Sequence, residues 1–147
     1  MPFNLFRFLN TQDPEEGGEP FVDVDMEDRS LKMGTKLPIK ELSAAYTFVA
    51  EDTGALFIIK AALTLTLPAA SAAFKGCHLW VFNKTDTSLT IAATADEMVT
   101  FNDVDADAIA FSTTSEKVGA AAHIVCDGTH WLVMLMTEET QTTTVTT

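Results

Sequence analysis

Cys126-Asp127-Gly128-Thr129-His130-Trp131 joins two apolar runs, Ala121–Cys126 and Trp131–Met136, and its reading decides the fold. An Asp-Gly pair between such runs signals a hairpin. A tight turn needs positive φ, and glycine has no Cβ to clash there. Upstream, Leu63-Thr-Leu-Thr-Leu67 alternates apolar and hydroxyl side chains and stops at Pro68. That is the period of a strand with one face buried, ended by a residue that cannot donate to a ladder. No segment carries a long apolar stripe of helical period.

Working outward, strands are expected near Tyr46–Val49, Leu56–Ile59, Leu63–Leu67, Cys77–Asn83, Leu89–Ala92, Met98–Phe101, Ala108–Phe111, Ala121–Cys126 and Trp131–Met136. Short strands at roughly ten-residue spacing indicate an all-β chain, an antiparallel β-sandwich or jelly-roll-like barrel, and argue against βαβ units. Residues 41–136 form this expected core. Residues 1–40 read as an extended N-terminal arm with an acidic linker, Thr11–Pro20, that holds two glycines and two prolines. Within it Phe21–Asp28 alternates apolar and acidic residues, which suits an exposed edge strand or extended arm. Residues 137–147 form a Thr-rich tail with almost no apolar surface, either disordered or ordered against something else.

The chain has 147 residues, 47% of them apolar, enough for one domain with a substantial core. Its 21 acids against 9 Lys and Arg give a net charge of −12. Such a field repels phosphate backbones and anionic lipid, so neither nucleic acid nor a membrane surface is an expected partner. The apolar stretch from Gly54 to Ala73 is broken by Lys60 and Pro68, and it alternates like a strand. Met1–Leu9 is too short for a signal-peptide core, so assembly in a cytosol is expected. Cys77 and Cys126 sit in apolar strand patterns and read as reduced thiols.

Strand parity can be read directly. Cys77, Leu79 and Val81 share one face and His78, Trp80 and Phe82 the other, and both faces are largely apolar. Every residue of Trp131–Met136 is apolar as well. A chain of this size seldom covers both faces of two such strands, so Trp80, Phe82, Trp131, Val133 and Leu135 are the candidate subunit interface. A second candidate contact is the N-terminal cluster Phe3, Leu5, Phe6, Phe8 and Leu9. It either folds back onto the core or docks into a partner's groove.

No catalytic or cofactor set emerges. His78, His123 and His130 lack the spacing of converging metal ligands, and His123 and Cys126 fall on opposite strand faces. Asp103-Val-Asp-Ala-Asp107 opens like a calcium loop, but Ala108 and Thr114 stand where an EF-hand needs glycine and glutamate. A solvated acidic loop is the default reading there, and a calcium site of other design is the alternative. Neither a Gly-x-Ser-x-Gly elbow nor a glycine-rich phosphate loop is present. Glu97 with Asp103 is the one carboxylate pair a glycan hydrolase could use. The expected class is non-enzymatic.

Tyr46–Gly54, Leu63–Ser71, Gly76, Val81–Asn83, Leu89–Ile91 and Cys126–Trp131 follow one another in an order that resembles the β-modules of tailed-bacteriophage virion proteins. These are notably head decoration (cement) proteins, with some tail-fibre or tail-tip modules. The resemblance covers about residues 46–136, rests on the order of individually weak motifs, and leaves out the acidic N-terminal zone and the Thr-rich tail. It implies a small structural protein, commonly trimeric, on the outer capsid surface, that locks adjacent major capsid proteins together. It brings no catalytic residues. The alternative it implies is a tail module that binds host-surface glycans, for which Tyr46, Trp80 and Trp131 are the candidate aromatics.

Overall fold

The computed structural model describes residues 23–25, 30–32, 36–101, 103–111 and 117–147. The chain divides into two units, Met1–Lys36 and Leu37–Thr147. In the first, β1 (Asp23–Asp25) pairs antiparallel with β2 (Ser30–Lys32), with Val24 opposite Leu31. The cluster Phe3, Leu5, Phe6, Phe8 and Leu9 lies outside the described residues.

The second unit is all-β. In chain order its strands are β3 (Ile39–Leu42), β4 (Tyr46–Thr47), β5 (Leu56–Ile59), β6 (Leu63–Thr66), β7 (His78–Asn83) and β8 (Leu89–Ala92). There follow β9 (Met98–Thr100), β10 (Asp103–Ala106), β11 (Ala108–Phe111), β12 (Ala121–Cys126), β13 (Trp131–Met136) and β14 (Thr143–Thr146). A seven-stranded sheet, β10-β9-β13-β12-β7-β5-β3, packs on a five-stranded one, β14-β11-β8-β6-β4. The result is a sandwich that does not close into a barrel.

From β3 to β8 the chain passes back and forth between the sheets, one strand at a time. Strands two apart in sequence therefore run the same way. Parallel neighbours result: β3 with β5, β5 with β7, β4 with β6, and β6 with β8. A parallel pair needs a crossover, and here a strand of the facing sheet supplies it in place of a helix. The antiparallel pairing expected throughout is found between β7 and β12, β12 and β13, β8 and β11, and β11 and β14. Both sheets are mixed.

The β12–β13 hairpin pairs Cys126 with Trp131, so its loop is residues 127–130. Gly128 has φ 102°, where only glycine is comfortable. The Asp127 carboxylate closes the loop, its Oδ1 accepting the backbone N–H groups of Thr129 and His130, each at 2.7 Å, and the Thr129 hydroxyl at 2.8 Å. These bonds, led by the one from His130, hold its pKa down at about 2. At the start of β7, Gly76 (φ 85°) donates to the Cys126 carbonyl while the Cys126 N–H donates to Cys77. That is a glycine bulge, and it sets both cysteines side by side as free thiols.

The core lies between the sheets. Trp131 is fully buried, with the Phe48 ring edge-on at 5.6 Å and Phe74 at 5.9 Å. Its indole N–H donates to the Pro68 carbonyl at 2.8 Å, so the proline turn after β6 is anchored to β13. This corrects part of the expected subunit interface. Trp131 and Val133 are buried within one chain, and Leu135 packs inward against the same core. The Thr-rich tail also has a place: β14 pairs along its length with β11, and Val145 packs on the core. At the other end, β3 crosses the expected arm–core boundary and belongs to the core sheet.

Candidate assembly surface

The outward positions of the seven-stranded sheet line up in rows across its strands. Ile39, Leu56, Trp80, His123 and Met134 are successive cross-strand partners from β3 to β13. Glu41, Ile58, Phe82, Ala121 and Met136 form the next row. His78, Val125, Leu132 and Val99 form a third. Their alternation with buried residues puts all three rows on the side away from the core. Ile39 is 60% exposed, Met134 49%, Met136 44% and Phe82 40%. Scattered apolar side chains on a surface are ordinary, but a contiguous face of them marks an interaction site. At about 4.8 Å per strand and 3.3 Å per residue, this face covers on the order of 400 Å² in projection.

Among the described residues, the titratable groups at its centre are two imidazoles. His123 lies flat on Trp80, rings 4.0 Å apart and within 10° of parallel. Its Nε2 sits 3.4 Å from Nδ1 of His78, on the adjacent strand. Burial, and then the neighbouring His78, lower the pKa of His123. A neutral imidazole is thus the favoured form at neutral pH. The one carboxylate in the three rows, Glu41, stands at the rim with Lys60 at 2.8 Å, and that hydrogen-bonded pairing holds its pKa below the usual range.

The other polar groups are committed elsewhere. Asp52, 7% exposed, accepts from the Tyr46 hydroxyl at 2.7 Å and is ion-paired with Lys40, which also donates to Tyr46 at 2.9 Å. Burial would raise the Asp52 pKa, but the bonds from Lys40 and Tyr46 outweigh it and hold the carboxyl below its usual value. Lys40 is raised in turn, chiefly by its bond to Asp52. The triad ties β3 of one sheet to β4 of the other, and an ammonium locked to a carboxylate offers no nucleophile.

Glu97 and Asp103, the nominated acid pair, are likewise engaged. Glu97 accepts the Ala70 N–H at 2.7 Å, and Asp103 accepts the Thr147 hydroxyl at 2.7 Å and the Asp105 N–H at 3.0 Å. Asp107 accepts from the Asp96 N–H. Among the described residues no three His, Cys, Asp or Glu side chains gather as metal ligands would. His130 stays in the hairpin loop, its Nδ1 beside the Thr129 hydroxyl.

Of the aromatics a glycan would stack on, Trp131 is buried, Tyr46 is held by Asp52, and Trp80 is covered by His123. Of the expected interface residues, Trp80 and Phe82 do lie on the outward face. Sequence reasoning missed Ile39, Ile58, Met134 and Met136 beside them. His123 was the available signal. A histidine alternating with Ile124 marks the outward side of β12, and the hairpin register carries that side to Met134. No family model matches the chain, and no curated protein is significantly similar to it.

Proposed function

We propose that this chain is a structural virion protein that binds the outer surface of a phage capsid as a trimer and cements adjacent major capsid protein subunits, without catalysis. The observation that carries the reading is the apolar outer face of the seven-stranded sheet, set in a molecule of net charge −12. Such a face in water favours a partner that covers it. The order of β-motifs that resembles head decoration proteins supplies the location. An acidic protein is compatible with a capsid exterior, whereas DNA packed inside would repel it. Repetition on a lattice lets modest contacts add up, with the Phe3–Leu9 arm as a tether between subunits.

The alternative, a tail-fibre or tail-tip module binding host-surface glycans, has less support, because two of its three candidate aromatics are engaged inside the fold. Adding the purified chain to heads built from the major capsid protein of the phage that encodes it tests the proposal. Decoration should appear as regular external density by electron cryo-microscopy and as greater resistance of the heads to heat. Undecorated heads at saturating chain would refute it. A chain lacking residues 1–20 should remain folded and bind the heads more weakly.

A further inference from the structure

We propose that Cys77 and Cys126 form a cross-strand dithiol that closes to a disulfide when the chain meets a small-molecule disulfide such as oxidised glutathione. The two are the chain's only cysteines, and both are free thiols.

Backbone chemistry sets them opposite each other. Gly76, at φ 85°, donates its N–H to the Cys126 carbonyl at 2.8 Å, and the Cys126 N–H donates to the Cys77 carbonyl at 2.9 Å. Gly76 is thus the extra residue of the bulge, and Cys77 holds the place facing Cys126. One step further the regular ladder begins, with His78 opposite Val125 and Leu79 opposite Ile124. Leu79, Val81, Ala122 and Ile124 are buried in the core, and strand alternation puts both cysteine side chains on that same side. Cys126 is 1% exposed, and Cys77 packs against the same cluster. Facing residues of an antiparallel pair lie about 4.5–5.5 Å apart at Cα, within the roughly 4.4–6.8 Å that a disulfide spans. Closing the bond therefore asks for rotation of side chains and no shift of either strand.

The two thiols differ in access, and that orders the steps. Cys77 is half-buried beside exposed Lys75 and Gly76, whereas Cys126 is sealed in. The Cys77 thiolate attacks one sulfur of the small disulfide, forming a mixed disulfide and expelling one glutathione thiolate. Cys126 then loses its proton and attacks the Cys77 sulfur, expelling the second glutathione. Two protein thiols give up two electrons and two protons, and two glutathione thiols receive them. The second step joins groups already held in place, so the mixed disulfide does not accumulate. The bond closes residues 77–126 into a ring that includes β8 and β11 of one sheet and β9 and β10 of the other. Such a ring restricts the unfolded chain more than the folded one.

The full chain, treated with excess oxidised glutathione at about pH 8 and quenched with acid, is read by intact mass and peptide mapping. Native wild type should lose the mass of two hydrogens, yield a peptide pair joined through Cys77 and Cys126, and stay uncrosslinked between chains. Its urea midpoint should rise by about 1 M. Cys126→Ser should stop at one glutathione on Cys77, and Cys77→Ser should take up none while folded. Both thiols left free in native wild type overturn the proposal, as does a stable glutathione adduct or a bond between two chains. A urea midpoint lowered by oxidation overturns it too, since the strands then do not hold the cysteines at bonding distance.

Discussion

The sandwich has two outer faces, and they are built from different side chains on the same pleat. On the five-stranded sheet the outward positions are Thr47, Thr64, Thr66, Thr90, Ala92, Ala108, Ala110, Thr144 and Thr146. On the seven-stranded sheet they include Ile58, Trp80, Phe82, His123 and Met134. β-branched threonine suits a strand, and its hydroxyl suits water. Bulky apolar side chains suit a strand equally well but not water. Secondary structure therefore explains neither choice alone. The Thr/Ala face is compatible with remaining wet, and the apolar face with being covered.

The scale for either face comes from the interior. Trp131→Ala should destabilise the chain most, by about 3–5 kcal/mol, because it opens a cavity among Phe48, Phe74 and the Pro68 turn. Urea denaturation would measure it. A cost under about 1 kcal/mol would mean that the indole is not packed as described. Next comes the clasp between the two sheets. Asp52→Ala leaves the Tyr46 hydroxyl and Lys40 without their acceptor, at a cost of about 1–3 kcal/mol. The pH dependence has a definite sign. The folded-state pKa of Asp52 lies below its unfolded value, so its contribution is full above the ordinary aspartate pKa of 3.8 and fades as pH falls through the lower folded value. The gap between wild type and Asp52→Ala should thus narrow in acid.

On the apolar outer face the two readouts separate. Phe82→Lys replaces a ring that is 40% exposed, so folding stability should move by no more than about 0.5 kcal/mol. Self-association should fall about thirtyfold or more, the effect of losing one interface hot spot. Light scattering together with urea denaturation decides the matter. Equal losses in both would make Phe82 a core residue, and no loss in either would remove it from the interface.

How far the sequence foretold this contrast differs from strand to strand. The β12–β13 hairpin and the parity of β7 were legible because turn chemistry and a period of two act locally. The parallel arches of β3–β8 were not. A loop such as the one after Leu67 carries the same proline and small residues whether it returns the chain to its own sheet or sends it across to the facing one. Trp131, Val133 and Leu135 were assigned to the wrong side of β13 because both of its sides are apolar. Only pairing Cys126 with Trp131 and His123 with Met134 shows which side faces out. The Lys40–Asp52–Tyr46 triad was illegible for a different reason: its members come from two sheets and a turn, and no spacing within the chain announces that they meet.

The smallest expected effect is the most discriminating. Thr90 lies outward in the middle of the five-stranded sheet, opposite Thr64 on one side and Ala110 on the other. Thr90→Lys adds a long charged stem to that face, and the stem can lie along its short neighbours with the ammonium in water. Folding stability should shift by no more than about 0.5 kcal/mol, and self-association should not change. The substitution introduces the same charge as Phe82→Lys, into a strand of the same sandwich, on the opposite outer face. If sedimentation shows that it weakens association as Phe82→Lys does, then the apolar face has no special part in assembly, since one added positive charge on a chain of net charge −12 can only lessen repulsion between copies. If association survives Thr90→Lys and is lost with Phe82→Lys, the cause is the difference in side chains between the two faces.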